Sequence, residues 1–391
     1  MSDAGTRGPG RRTKNHKGVN IALQGGGAHG AYTWGVLDRL FEDDRIWIEG
    51  ISGTSAGAMN AVVAAHGMHE NGAEGARAHL AKFWRAVSDA AKYSPVQRSL
   101  FAKATGDWSL ETSPGYMLMN FVKQVASPYD FNPLDVDPLR QIVEETVDFD
   151  RVRGLTGMGV FLSATNVETG RIRVFEKPEI TLDAVMASAC LPNIYKAVEI
   201  DGVPYWDGGY MGNPPLFPFF GKSASNDIII VQINPVERKG TPKTASEIQD
   251  RLNEITFNSS LLHALRSIDF VRRLLDAGQL DPEKYKYMHM HIISACERMI
   301  DLDASSKINA EWLFLKHLFE IGRETASEWL EENFDNLGVR SSTNIRAMFE
   351  GHGYLPESAI QKVDPPAATS PTPSRKTTPR RKARSASKSS G

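Results

Sequence analysis

The sequence predicts an α/β protein with a mainly parallel central sheet, on three observations. Residues 19–23 are a strand-like run that leads through glycines to a helical pattern at 31–40. Residues 46–51 repeat this order, ahead of a second turn and helix. Residues 228–231 are continuously apolar, as strands buried on both faces of a parallel sheet are. We therefore expect a three-layer α/β/α fold with helices on both faces of the sheet.

Charge is unevenly distributed along the 391 residues, whose net charge is −2. Five lysines and arginines fall in 1–18 and seven in 364–391, so the body between them is acidic. Both ends lack the apolar residues that form a core, and we expect two disordered basic tails. An acidic body is not typical of nucleic-acid binding, so no nucleic-acid partner is expected. The tails could contact an anionic membrane surface.

The remaining chain divides by pattern into a core and an extension. We expect a catalytic domain over 19–235, interrupted at about 70–130 by helices that form a cap. Residues 236–363 hold two long helical patterns, 245–276 and 308–333, and are expected to pack on that domain as a mostly helical extension.

Two cysteines, Cys190 and Cys296, offer no disulfide framework, which is typical of a reducing compartment. No signal peptide and no apolar run long enough to span a membrane are visible. These features predict a cytoplasmic protein, with peripheral membrane contact through the tails as a further hypothesis. No metal-binding motif is visible, no cofactor is expected, and the oligomeric state is not predicted.

Residues 53–57 match the pattern G-x-S-x-G between a strand and a helix. This pattern is typical of a nucleophile elbow, a sharp turn that exposes a serine. Gly53 and Gly57 leave room for the turn, and the following helix directs its positive end toward Ser55. Ser55 is therefore the candidate nucleophile.

A serine nucleophile needs donors for the oxyanion, and the glycine run after the first strand can supply them. The same run, Gly25-x-Gly27-x-x-Gly30, also matches the dinucleotide-binding fingerprint. That alternative requires an acidic residue about twenty positions on, near Glu49. A nicotinamide enzyme, however, has no need of the Ser55 turn.

Two kinds of base are open. Asp207 follows a predicted hairpin and precedes Gly208 and Gly209, which let a carboxylate sit on a turn. A downstream histidine would instead complete a Ser-acid-His triad. The candidate histidines are His263, His289 and His291.

The three motifs in this order, over about 19–235, resemble the patatin-like phospholipase family. The resemblance implies a Ser–Asp dyad, with Ser55 as nucleophile and Asp207 as general base. It assigns the oxyanion hole to Gly25, Gly26, Gly27 and Gly30, with the amides of Gly26 and Gly27 lining it. It also makes His29, Gly53, Gly57, Gly208 and Gly209 supporting residues of the motifs.

Two positions depart from the family pattern. Plant patatins have an acidic residue where this chain has Gln24, and many members have arginine or lysine at the position of His29. A histidine there leaves the positive charge at neutral pH open.

The implied activity is that of a serine lipid acyl hydrolase, phospholipase A-like or acting on another carboxylic ester. Its substrate is a lipid or an acyl ester, and a long acyl chain needs an apolar channel. The expected lining is Phe83, Trp84, Met117, Leu118, Phe121 and the segment 211–220. The alternatives are a dinucleotide-binding oxidoreductase and a catalytically silent lipid-binding relative.

Overall fold

A computed structural model describes residues 16–300 and 302–351. The predicted tail 364–391 and most of the tail 1–18 lie outside these residues. Within the described part, Lys17 and Gly18 already belong to the first strand, because they pair with Ile46 and Trp47 of the second. The strand thus begins two residues before the predicted position.

The described residues form eight strands and twelve α-helices. The strands are β1 (Lys17–Leu23), β2 (Ile46–Gly53), β3 (Gly159–Asn166), β4 (Ile172–Glu176), β5 (Val198–Ile200), β6 (Val203–Asp207), β7 (Asp227–Gln232) and β8 (His289–Ser294). The helices are α1 (Gly30–Glu42), α2 (Ala56–Ala91), α3 (Leu100–Thr105), α4 (Pro114–Val125), α5 (Pro128–Phe131), α6 (Pro138–Thr146), α7 (Phe149–Gly154), α8 (Leu182–Ser188), α9 (Pro218–Lys222), α10 (Ala245–Asp276), α11 (Trp312–Asn333) and α12 (Ile345–Glu350).

One sheet joins these strands in the order β5-β6-β3-β2-β1-β7-β8, and β4 also pairs with β3. The pairings that link β3, β2, β1, β7 and β8 are parallel, and those of β4, β5 and β6 are antiparallel. The predicted mainly parallel sheet is confirmed. The antiparallel strands lie beside β3, where the predicted hairpins fall.

Successive residues of the central strands enter two different cores. In β1, Ile21 and Leu23 pack into one apolar cluster with α1, α2 and α11, whereas Ala22 packs into a second cluster. In β7, Ile229 and Val231 face the first cluster, and Ile228 and Ile230 face the second, with α9 and α10. Both faces of the sheet are therefore covered, which gives the three layers predicted.

The described residues of the predicted extension, 236–363, are part of this fold rather than an addition to its surface. Its strand β8 joins the sheet beside β7, and its helix α11 packs on α1. The packing is close enough that a Cβ on Gly35 would lie 2.0 Å from the Phe319 carbonyl oxygen. The described residues belong to one compact unit. Both cysteines are free, and no helix of the described residues is apolar and long enough to cross a bilayer.

Candidate active site

Ser55 lies at the turn between β2 and α2. Its φ is 56° and its ψ is −124°, a conformation that is costly for a residue with a Cβ. The Ser55 N–H donates to Ser188 Oγ at 3.0 Å, and the Thr54 N–H donates to the Leu23 carbonyl at 3.3 Å. These bonds hold the strained turn, with Ser55 directly ahead of the first residue of α2.

Backbone segments meet closely around this turn, where two positions admit only glycine. A Cβ on Gly25 would lie 2.7 Å from Ser55 Cβ, and a Cβ on Gly57 would lie 2.4 Å from the Leu23 carbonyl oxygen. Both distances are shorter than any real contact of a Cβ. The glycine loop after β1 therefore lies directly against the serine turn after β2.

Asp207 reaches the same place through strand register. On one edge of β3, β4 pairs along residues 161–165. On the other edge, β2 ends with Gly53 opposite Leu162, and β6 ends with Asp207 opposite Ala164. Because β2 and β6 run in opposite directions along that edge, their last residues meet there. Two motifs far apart in the chain thus converge.

The Asp207 backbone is fixed from both sides. Its N–H donates to the Cys190 carbonyl at 2.8 Å, and its carbonyl accepts from Thr165 Oγ1 at 2.8 Å. Gly208 packs on β3, since a Cβ there would lie 2.2 Å from the Ser163 carbonyl oxygen.

The Asp207 carboxylate is only 1% exposed. Oδ1 accepts from the Gly209 N–H at 2.7 Å, whereas Oδ2 has no hydrogen-bond partner of good geometry among the described residues. Burial raises the pKa of Asp207 to about 7, although the Gly209 N–H and the nearby Ser55 hydroxyl each act to lower it. Asp207 is therefore a carboxylate that can take up a proton near neutral pH.

The four predicted oxyanion glycines do not contribute equally. The Gly25 N–H donates to Asn213 Oδ1 at 2.7 Å, and the Gly30 N–H bonds within the short turn ahead of α1. These two amides are occupied and do not donate to an oxyanion in this arrangement, so the place of Gly25 and Gly30 in the oxyanion hole stays a prediction about the loop and not about their N–H groups. The N–H groups of Gly26 and Gly27 have no hydrogen-bond acceptor in the described chain.

Gln24 anchors the glycine loop and is fully buried. Its Oε1 accepts from the N–H groups of Ile233 and Asn234, each at 2.9 Å, and its Nε2 donates to Asn258 Oδ1 at 3.2 Å. A neutral amide satisfies donors and acceptors together, which a carboxylate cannot do. This gives the departure at Gln24 a structural reason.

His29 carries no positive charge at neutral pH. Burial lowers its pKa to about 3, with Lys307 and then Arg238 adding to the effect, and its Nε2 lies 2.8 Å from Ser306 Oγ. Lys307 and Arg238 are the basic side chains near His29; burial lowers the pKa of Lys307, and its Nζ donates to Asn234 Oδ1 at 2.8 Å. Sequence reasoning missed Lys307, Asn213 and Ser188, since no local pattern connects them with the serine turn.

The candidate histidines lie elsewhere. His291 Nε2 is 3.0 Å from Asp227 Oδ1, and His289 Nδ1 is 3.5 Å from the same atom. Asp227 begins β7, so this group lies at the amino ends of the parallel strands, opposite to the Ser55 turn. His263 is exposed on α10. None of these three candidate histidines therefore completes a triad at Ser55.

The predicted apolar lining separates into two groups. Phe83 and Trp84 are buried core residues of α2, 1% and 3% exposed, and a Cβ on Gly30 would lie 3.1 Å from the Trp84 ring. Their role as the lining of an acyl channel stays a prediction. Met117, Leu118 and Phe121 are exposed on α4. The start of the predicted cap, up to residue 91, is thus a core helix, because its apolar side chains face the sheet.

Glu49 does not fit the dinucleotide alternative. It lies within β2 rather than after it, and its Oε2 accepts from the Ser225 N–H at 2.7 Å and from Ser223 Oγ at 3.0 Å. A ribose-binding carboxylate is expected beyond the carboxyl end of the strand. That end of β2 leads into the Ser55 turn.

Gly25→Ala is expected to lower kcat about 100-fold, because the new Cβ must push the glycine loop away from Ser55 and a misplacement of about 1 Å costs that much. The measurement is ester hydrolysis by variants whose circular dichroism matches that of the wild type. Gly221→Ala is the matched control, since no atom lies within 4 Å of its Cβ position. Equal activity of the two variants would contradict the prediction.

Comparisons with known proteins bear on this arrangement. No curated protein matches the chain in sequence. Among solved structures, VipD from Legionella pneumophila is similar at 15% identity and a TM-score of 0.33, over 79% of this chain and 67% of that one. The family model of patatin-like phospholipase matches residues 21–220, just over half of the chain and the segment that carries Ser55, Asp207 and the glycine loop. The chain belongs to the patatin-like phospholipase family and is a lipid acyl hydrolase.

Proposed function

We propose that this chain cleaves acyl esters of lipids, as a phospholipase A-like enzyme, through an acyl-enzyme on Ser55 with Asp207 as the base. The observation that carries the proposal is the buried Asp207 Oδ2, which has no good hydrogen-bond partner in the described chain and lies beside a serine on a strained turn. An unpaired buried carboxylate oxygen costs stability. Because the Ser55 hydroxyl lies next to it, this unpaired oxygen is free to accept the Ser55 proton during catalysis.

The first half of the reaction forms the acyl-enzyme. Ser55 Oγ attacks the ester carbonyl carbon while its proton passes to Asp207 Oδ2. The carbonyl oxygen becomes an oxyanion, which we expect to accept from the N–H groups of Gly26, Gly27 and Ala56, since none of them has another acceptor in the described chain. Ala56 opens α2, so its N–H has no acceptor within the helix. The leaving alcohol then takes the proton from Asp207.

The second half reverses these roles with water. Asp207 takes a proton from a water molecule, whose oxygen attacks the acyl carbon of the Ser55 ester. The oxyanion collapses, Ser55 recovers the proton from Asp207, and the carboxylic acid leaves. A carboxyl whose pKa is about 7 is suited to this exchange at neutral pH, since it both accepts and returns a proton readily.

Apolar side chains at the surface support a lipid substrate. Met211 follows the Asp207 loop and is 43% exposed, and Phe217 is also exposed. The helix α4 presents Met117, Leu118, Phe121 and Val125 to solvent. A cluster of large exposed apolar residues is typical of a surface that contacts lipid. Peripheral membrane contact through this surface is part of the proposal. The basic tail at 364–391 lies outside the described residues.

A fluorophosphonate probe tests the proposal, because an activated serine hydroxyl displaces its fluoride and becomes a stable phosphonate ester. We expect one label on the wild-type chain, located at Ser55 by peptide mass spectrometry, and none on Ser55→Ala. We expect Asp207→Asn to label much more slowly. A label at any other residue would overturn the assignment. An unlabelled wild-type chain would favour the catalytically silent alternative, and a thermal shift with dinucleotides would favour the oxidoreductase.

A further inference from the structure

Helix α2 is bent back on itself beyond the serine turn. Asn71 and Gly72 have non-helical dihedral angles, and Gly67 and Gly75 meet across the bend so closely that a Cβ on Gly67 would lie 2.2 Å from the Gly75 carbonyl oxygen. The helix therefore consists of two arms that cross at two glycines. This crossing brings residues of one arm against residues of the other.

Three side chains with metal-binding atoms meet at the crossing. His66 and Glu70 come from the first arm and His79 from the second, and one ligand atom of each lies within 4.8 Å of the others. Glu70 Oε2 is 2.5 Å from His79 Nε2 and 4.0 Å from His66 Nε2. Ligands of a tetrahedral zinc ion lie roughly 3.3 Å apart, since each is about 2.0–2.1 Å from the metal. Shifts of about 1 Å would admit an ion.

Neighbouring groups orient two of these side chains toward a common point. His66 is buried and its Nδ1 lies 3.2 Å from the Thr146 carbonyl oxygen, which can only accept, so Nδ1 carries the proton and Nε2 keeps its lone pair. Glu70 Oε1 pairs with Arg151 at 2.9 Å, which leaves Oε2 for the cluster. A ligand histidine in proteins is held by such a bond from its other nitrogen.

We propose that His66, Glu70 and His79 bind one zinc-type transition metal ion through Nε2, Oε2 and Nε2, with water as a fourth ligand. Two imidazoles and one carboxylate suit zinc, whereas magnesium and calcium prefer oxygen ligands. Sequence reasoning predicted no metal ligand, because the third ligand comes from beyond a bend that no spacing rule describes.

The ion would be structural rather than catalytic. His66 lies eleven residues along α2 from Ser55, which corresponds to roughly 16 Å of helix. An ion at the crossing would join the two arms of α2, and through Thr146 and Arg151 it would also fix the ends of α6 and α7. The proposal does not depend on the catalytic role of Ser55.

The test is titration of the full chain, made without a histidine tag and freed of metal with a chelator, with Co²⁺ and then Zn²⁺. We expect one Co²⁺ per chain with the visible absorption of tetrahedral cobalt, its displacement by Zn²⁺, and a higher Tm with Zn²⁺ than with Mg²⁺. His79→Ala and Glu70→Gln should weaken Co²⁺ binding at least about 100-fold.

His69→Ala is the matched control, because His69 lies on the same arm of α2 outside the cluster. The His69→Ala variant should bind Co²⁺ as the wild type does. Glu70→Gln keeps the side-chain volume, so this ligand variant should fold even if His79→Ala does not. Absence of Co²⁺ absorption in the wild type would overturn the proposal and leave an ion pair of Glu70 with His79 and Arg151. Binding that survives in both His79→Ala and Glu70→Gln would overturn it as well.

Discussion

Replacing Ser55 with alanine is expected to lower kcat for p-nitrophenyl ester hydrolysis by at least about 10⁴-fold. The variant has no oxygen to form the acyl-enzyme, and the remaining amides can only polarise the ester toward direct attack by water. We expect this variant to keep the fold, since Ser55 is half-buried and is not among the buried residues of the core. Steady-state kinetics with esters of increasing acyl length measure the effect.

Ser52→Ala is the matched control for this variant. Ser52 lies three residues earlier in β2, is fully buried, and its Oγ has no hydrogen-bond partner among the described residues. Loss of that hydroxyl should leave kcat unchanged within about twofold, since it touches nothing in the site. If Ser55→Ala kept the activity of Ser52→Ala, a nucleophile at residue 55 would be excluded.

The fold could be predicted from the sequence where local pattern decides the structure. Residues 228–231 of β7 are continuously apolar and are buried on both faces of the sheet. The Thr244 cap of α10 lies where the helical pattern begins. Gly53 and Gly57 lie two residues on either side of Ser55. From these glycines alone it could be inferred that other backbone segments approach the turn closely, although the sequence does not say which segments they are.

Long-range contacts set what the sequence alone could not predict. The Gly25 amide is occupied because Asn213, far along the chain, directs its Oδ1 at it. The predicted cap began at about residue 70, but helix α2 continues through a bend at Asn71 and Gly72 as far as Ala91. The meeting of Asp207 with the serine turn depends on the register of β3 with two other strands, which no periodicity reveals. The family resemblance, rather than any derivation, suggested that pairing.

Replacing Asp207 with asparagine is expected to lower kcat at least about 1000-fold, because an amide cannot accept the Ser55 proton. In the wild type, burial raises the pKa of Asp207 to about 7. The base works only when deprotonated, so kcat/KM should rise with pH up to about 7 and be level above it. A profile that is flat between about pH 5 and 8 would contradict the role of Asp207 as base.

The same variant should be more stable than the wild type. A carboxyl whose pKa is raised on folding holds its proton more tightly in the folded state, so stability falls as pH rises from 3.8, the ordinary pKa of aspartate, through about 7. Above that range the cost of the buried charge is at most roughly 4 kcal/mol. Asp207→Asn removes it, and we expect a higher Tm at pH 8 that converges on the wild-type value near pH 4.

Asp201→Asn is the control for both effects, since Asp201 lies on the turn of the same hairpin, is exposed, and has a positive φ that asparagine tolerates. It should change neither kcat nor the pH dependence of Tm. A catalytic carboxylate and a structural one differ in what their removal does. Removal of a catalytic carboxylate lowers activity and raises the Tm at alkaline pH, whereas removal of a structural partner lowers both activity and Tm. A lower Tm for Asp207→Asn at pH 8 would show that the carboxylate stabilises the loop instead.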